Sequence, residues 1–272
     1  MGIFNKEFRE IALSWLDESH GVVLLKLNRP DASNAFSEVM IPELCESLEK
    51  LDSLHEVRAI VVTGEGKHFC AGGDVKSMLA KDGMFSGEPA HLRKNYRYGI
   101  QQIPRTMEFI ETPVIAAVNG AAIGAGLDFA CMCDIRVASP KAKFGETFVK
   151  LGLIPGDGGG FFLQRVIGYS KAMELTLTGE ILAAEKALEM GLVNRVSENM
   201  LDEALKIAVS ISKNAPLAVS YAKKLVRDGY NDLIGDHLDK ASTYQGVTQR
   251  TEDHFEGVRA ILESRSPDFK CR

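Results

Sequence analysis

The sequence lacks paired cysteines at metal-ligand spacing, an excess of basic charge, and any long apolar run free of turn residues. Each absence removes a class of function. The five cysteines, Cys45, Cys70, Cys131, Cys133 and Cys271, are odd in number and follow no zinc spacing. Free thiols in a reducing compartment are therefore expected, not disulfides or a metal centre. A net charge of -5 and an isoelectric point near 5.8 argue against a nucleic-acid partner, which would call for a basic stripe. The six histidines are scattered without metal or triad spacing, and there is no Gly-x-Ser-x-Gly elbow. The run Gly120…Gly124-x-Gly126 lacks the spacing and the following acid of a dinucleotide fingerprint. No charged-then-apolar leader opens the sequence. The one stretch of near-membrane length, residues 112–133, carries turn residues and Asp128. A cytoplasmic protein without a membrane span is the expectation.

What is present describes an ordinary globular chain: 272 residues, 45% hydrophobic and 25% charged, enough to bury a substantial core. Ile11–Asp17 and Val22–Leu27 read as strands joined at Ser19-His20-Gly21. Ser37 then caps a helix whose apolar positions are Met40, Ile41, Leu44, Leu48 and Leu51. Residues 58–63 form a β-branched strand. Residues 80–90, Gly-rich and polar, are expected to be a mobile loop, and residues 92–110 one helix. Short strands follow over 134–138 and 142–144. Helical periodicity dominates from Phe161 onward, with late helices over 201–212, 218–227, 232–245 and 252–263. No linker of disordered composition intervenes. The expected architecture is an α/β core over residues 1–195 followed by a helical region over 196–272.

The chain is organised around residues 112–133. A short apolar run, Val114–Val118, reads as a strand buried on both faces. Asn119-Gly120 breaks it, and Gly124-Ala125-Gly126 stands where a helix should begin, with Asp128 just inside. Strand, small-residue turn and helix start leave backbone N–H groups unpaired at the helix N-terminus. Such groups bind a phosphate or stabilise a developing oxyanion, beside which an acid moves a proton. The chain makes a similar exit at Gly72-Gly73-Asp74. Plainer roles are also open: Asp128 complementing a helix dipole, Asp157 as a turn residue among glycines, Glu146 as a solvated or capping acid.

The sequence resembles the crotonase (enoyl-CoA hydratase/isomerase) superfamily. The resemblance rests on Leu27-Asn28-Arg29-Pro30 with Asn34-Ala35, on Phe69-Cys70-Ala71-Gly72-Gly73-Asp74, and on Pro113 through Gly120. It continues through Gly124-Ala125-Gly126, Cys133-Asp134-Ile135, Lys143-Phe144-Gly145 and Leu177-Thr178-Gly179-Glu180, in order over nearly the whole chain. It implies an α/β fold, a ββα spiral core with a helical C-terminal trimerisation region, and a homotrimer or dimer of trimers. The implied substrate is an acyl-CoA of fatty-acid or lipid metabolism. Coenzyme A is then part of the substrate, and neither a resident cofactor nor a metal is implied.

By position, the resemblance makes the amides of Gly73 and Ala125 the oxyanion donors. It places coenzyme A against Ala32, Ala71, Gly72, Gly73, Asp74 and Val75, with Lys76 and Lys270 for the phosphates. Of the two glutamates that hydratases of this family use, the first aligns with Asp128 and the second with Phe148. Glu146, two residues earlier, and Asp157, near an acid of related isomerases and hydrolases, are the candidates for a second acid. The expected activity is hydration of a 2-enoyl-CoA. Double-bond isomerisation, thioester hydrolysis, and acyl-CoA binding without turnover are the alternatives.

Overall fold

The apolar and β-branched runs form the framework. In this computed structural model, which describes residues 2–270, β1 (Ile11–Asp17) and β2 (Val22–Leu27) pair antiparallel. Helix α1 (Met40–Asp52) buries the face its periodicity predicts, Met40, Ile41, Leu44, Leu48 and Leu51. The Ser37 hydroxyl accepts from the amides of Val39 and Met40 at 3.2 and 3.0 Å, satisfying donors that a helix start leaves free. β3 (Ala59–Gly64) follows, parallel to β2, then the short helix α2 (Val75–Ala80).

Two local expectations need correction here. Residues 80–90 are not an unstructured loop: they form a turn of 3-10 helix at Gly83–Phe85 that buries Met84. The Asn95 side chain fastens it, donating to the carbonyls of Met84 and Ser86 at 3.2 and 3.4 Å. The single helix expected over 92–110 is two, α3 (Pro89–Tyr98) and α4 (Gln102–Phe109). Gly99, at φ -105° and ψ -110°, leaves the helical conformation between them. The Gln101 side chain at the break donates instead to the Gly156 carbonyl at 2.7 Å.

The chain then repeats one manoeuvre. β4 (Val114–Val118), with every residue buried, leads to β5 (Ala121–Ile123) and helix α5 (Ala125–Met132). β6 (Ile135–Ala138) leads to β7 (Lys143–Gly145), α6 (Gly159–Ile167) and α7 (Tyr169–Thr178). β8 (Ile181–Ala183), α8 (Ala184–Glu189) and β9 (Arg195–Val196) close this part. The larger sheet has the order β1-β2-β3-β4-β6-β9, the smaller β5-β7-β8. Phe36 bridges Gly73, and Cys70 bridges Ala122, so the smaller sheet is extended by single residues of the earlier passes. Each pass thus adds a strand to the large sheet and a bridge or strand to the small one. That stepwise advance is a ββα spiral.

Parallel strands need cover on both faces. On one side lies the main core with α1, α4 and α5. On the other, α9 (Met200–Ser212) sets Ala204 and Ala208 against Val22, Val61, Ile115 and Val137. Helices α10 (Pro216–Asp228), α11 (Ile234–Thr248) and α12 (Glu252–Leu262) complete the described chain. Lys223 ties α10 to the core: its buried ammonium meets Asp134 at 2.8 Å and donates to the Thr112 carbonyl at 2.8 Å. Among the described residues, no helix is long and apolar enough to cross a membrane. Cys45, Cys70, Cys131 and Cys133 are buried free thiols, and Cys271 lies outside the described residues.

Candidate active site

Because β3 and β4 are parallel neighbours, the chain leaves both on the same side of the sheet, where parallel sheets gather their ligand sites. The two small-residue exits therefore converge. A side-chain carbon on Gly72 would stand 2.6 Å from the Ile123 carbonyl oxygen and 3.1 Å from the Ala125 nitrogen. Only bare backbone fits between these turns. Gly124 makes the second one with φ +53° and ψ -123°, a conformation closed to residues with a Cβ. Ala125 then starts α5, so its amide has no acceptor one turn earlier. Neither the Ala125 nor the Gly73 amide donates to any acceptor among the described residues. A cavity of about 30 Å³ touches Gly73, Ala125, Met84, Tyr96, Phe148 and Asp157. It holds a water or two but not an acyl thioester. Met78, unbranched and flexible, packs directly over Gly73. A far larger groove, about 670 Å³ between α1 and α3–α4, shares only Met84 with this cavity.

Three carboxyl groups gather at this place. Asp128 sits in the first turn of α5, Glu146 just after β7, and Asp157 just before α6, each at most 5% exposed. Both oxygens of Asp128, both of Glu146 and Oδ1 of Asp157 find no amide, hydroxyl or cationic donor among the described residues, so these carboxyls have only one another. Arg136, the buried cation on β6, is committed to the carbonyls of Leu192, Ala130 and Cys133. Burial pushes Asp128 well above the ordinary carboxylate range, and the carboxyls of Asp157 and Glu146 push it further. Burial also raises Glu146 to about 7 and lifts Asp157, in both cases against a hydrogen bond with Asp128. The cluster therefore keeps protons at neutral pH that exposed acids would have lost.

Gly159 makes this packing possible. A Cβ there would overlap Asp128 Oδ1 and lie 2.5 Å from Glu146 Oε1 and 2.6 Å from Asp128 Oδ2. Gly159→Ala is expected to destabilise the fold by about 1–3 kcal/mol, because short buried side chains have nowhere to retreat. Urea unfolding of both proteins, compared at one pH, measures it.

The sequence-derived candidates separate into three groups. Gly73, Ala125, Asp128, Glu146 and Asp157 come together. Glu146 is corrected: it is not a solvated acid but 1% exposed, next to Asp128. Asp157, not Asp128, is the carboxyl that lines the cavity. The expected coenzyme loop forms a second group. Ala71 donates to the Ser33 carbonyl at 3.0 Å, next to the 3-10 turn Pro30–Ala32 that holds Ala32. Asp74 caps α2, accepting from Lys76 and Ser77 at 3.1 and 3.3 Å and pairing with Arg29 at 3.1 Å. Burial opposes ionisation of Asp74, but these bonds outweigh it and hold its pKa low. Its side chain is thus structurally occupied, while Val75 and Lys76 are exposed. Lys270 stands apart: its ammonium pairs with Asp268 at 2.7 Å and its amide donates to Asp253. Tyr96 and Met84 line the cavity without having been singled out, since nothing marks a lone tyrosine or methionine in a polar stretch.

The sequence profile of the enoyl-CoA hydratase/isomerase family matches residues 17–272. A probable mitochondrial enoyl-CoA hydratase of Dictyostelium discoideum is 37% identical, over 96% of this chain and 92% of its own length. A 2,3-dehydroadipyl-CoA hydratase of Escherichia coli is 35% identical, over 92% and 96%. The crystal structure of an enoyl-CoA hydratase from Bacillus anthracis superposes with a TM-score of 0.88 at 32% identity, covering 97% of this chain and 100% of that one. A spiral of strand passes, two unpartnered amides at converging exits, and these matches over nearly the full length agree: the chain belongs to the enoyl-CoA hydratase/isomerase family.

Proposed function

We propose that this protein hydrates a 2-enoyl-CoA thioester through an oxyanion-stabilised enolate. The observation that carries this reading is the pair of unpartnered amides, Gly73 and Ala125, facing one cavity beside the Asp157 carboxyl. A thioester oxygen placed between those amides gains two donors as it takes on negative charge. Each such donor is worth roughly 10²–10³ in rate. Attack of water at Cβ becomes possible because the electron pair of the double bond moves onto that oxygen. Asp157 takes the water proton, and a proton then goes to Cα. The hydratase names of the relatives support hydration over hydrolysis or binding alone.

The loop from Ala71 to Lys76, with Ala32, would hold the coenzyme A part of the substrate, and Lys76 and Lys270 its phosphates. Exposed Leu233, Ile234 and Leu238 on and before α11, and Ile261 and Leu262 on α12, support self-association as a trimer or a dimer of trimers. A cytoplasmic role in fatty-acid or other acyl-CoA metabolism fits this chemistry.

One observation favours a second reading. Phe148 lines the cavity at the position of the second glutamate, an apolar wall that suits double-bond isomerisation without water. Incubation with 2-enoyl- and 3-enoyl-CoAs in heavy-oxygen water, read by mass spectrometry, decides between them. Hydration adds one labelled water to the 2-enoyl substrate. Conversion of 3-enoyl to 2-enoyl without label would establish the isomerase, and labelled free acid would mean hydrolysis.

A further inference from the structure

Addition of water requires one proton to leave water and one to arrive at carbon, yet among the described residues one carboxyl, Asp157, reaches the cavity. Two more stand behind it, wholly out of solvent. Asp128 is 0% and Glu146 1% exposed, and a side chain on Gly159 would strike both. The other ionisable groups facing the cluster are Tyr96 on α3, Cys70 ahead of α2, and Cys131 on α5. Burial pushes both thiols up to about 12 and raises the Tyr96 hydroxyl, so all three are neutral at pH 7. The cavity-side and core-side neighbours thus contribute no charge that could balance three carboxylates. Like charges this close, without a cation, do not ionise together. Acids that are merely structural take donors from backbone amides, as Asp74 does at α2. Five oxygens of this cluster take none.

We infer that Asp157, Asp128 and Glu146 are a proton-sharing relay, in which Asp157 meets the substrate and Glu146 is the positioning residue at its far end. The inference rests on the hydratase reading and adds a division of labour among the three acids. In this relay the resting cluster shares two protons and one negative charge, with Asp128, the carboxyl that neighbours both Asp157 and Glu146, at its centre. As the water oxygen bonds to Cβ, one water O–H breaks and its proton goes to Asp157. The cluster becomes neutral while the thioester oxygen carries the charge. The enolate pair then returns to form the Cα–H bond with a proton from Asp157, and the cluster recovers its negative charge. Cluster and substrate together keep one negative charge throughout, so no charge has to cross the apolar wall of Phe148 to solvent. Glu146 sets the position of the shared proton on Asp128, and with it the basicity of Asp157.

The test is Glu146→Gln, which keeps shape and offers Asp128 an amide donor but cannot exchange a proton. Its kcat on the 2-enoyl-CoA is expected to fall about ten-fold or more, with KM within two-fold. Glu146→Asp should recover most of that loss. Infrared spectra of the wild type at pH 6 should show a protonated-carboxyl C=O stretch that weakens in Glu146→Gln. Wild-type kcat in Glu146→Gln, or equal losses in Glu146→Gln and Glu146→Asp, would overturn the relay. Should Glu146→Gln fail to fold, a wild-type spectrum without any protonated-carboxyl band would overturn it alone. The infrared arm uses no substrate. A wild type that hydrates nothing but shows the band would therefore refute the hydratase reading and leave the shared protons standing.

Discussion

Asp157→Asn is expected to lower kcat by about 10²- to 10⁴-fold while leaving acyl-CoA binding nearly unchanged. The substitution preserves size and leaves the Gly73 and Ala125 amides in place, so the thioester still finds its two donors. What disappears is the one carboxyl that lines the cavity among the described residues. Asp128→Asn is expected to abolish turnover too, but for a different reason: Asp128 has no exposed surface and acts through its neighbours. Steady-state kinetics with a 2-enoyl-CoA, beside calorimetric binding of a saturated acyl-CoA, separates the two effects. Full activity in Asp157→Asn with an inactive Asp128→Asn would return the substrate-facing role to Asp128. That outcome would require the cavity to reshape around α5 when substrate enters. Loss of binding in either variant would instead mean that the carboxyl holds the fold of the site, not its protons.

The sequence revealed the turns more readily than the acids, and the reason is physical. A strand that ends in Asn119-Gly120 and a helix that starts at Gly124-Ala125-Gly126 announce a backbone conformation, because few residues tolerate it. The Phe69-to-Asp74 run announces another. That these exits meet follows from parallel pairing of β3 with β4, which apolar runs of similar length make natural. Burial of an individual acid has no such local signature. Glu146 stands after a short strand and looks like any exposed glutamate, yet β7 packs between β5 and β8 and carries it inward. Asp157 sits among glycines that favour aspartate for turn geometry alone, and only its place before α6 brings it to the cavity that Ala125 lines. Gly159 was legible as a turn residue but not as the gap that admits two carboxyls. Tyr96 reaches the site because Gly99 and Gln101 break the helix expected over 92–110, a break that periodicity smoothed over.

Stability is expected to fall as pH rises from about 4.5 to about 7, the reverse of ordinary acid denaturation. Glu146 has an ordinary value of 4.5 and a folded value of about 7. Below 4.5 both states hold the proton, and its burial costs nothing that depends on pH. Between the two values the unfolded chain has released the proton while the folded chain retains it, so rising pH favours unfolding. Above 7 both states are ionised and the loss is complete. At about 1.4 kcal/mol for each pH unit, the loss from Glu146 alone comes to about 3 kcal/mol. Asp128 and Asp157 are raised from 3.8 by the same burial, so they act with the same sign. Glu256 acts oppositely: hydrogen bonds from Arg265 lower it to about 2, and its contribution fades only below 4.5. The window above 4.5 therefore isolates the buried cluster among these acids. Urea unfolding at pH 5 and pH 8 should show the wild type weaker at pH 8, and Glu146→Gln gaining on it by up to about 3 kcal/mol across that range. A wild type equally stable at both pH values would mean that the cluster does not hold its protons, and the proton chemistry assigned to it would fall. A gain in Glu146→Gln paired with slower turnover would show why acids that weaken the fold are retained: protons held out of solvent are what the reaction uses.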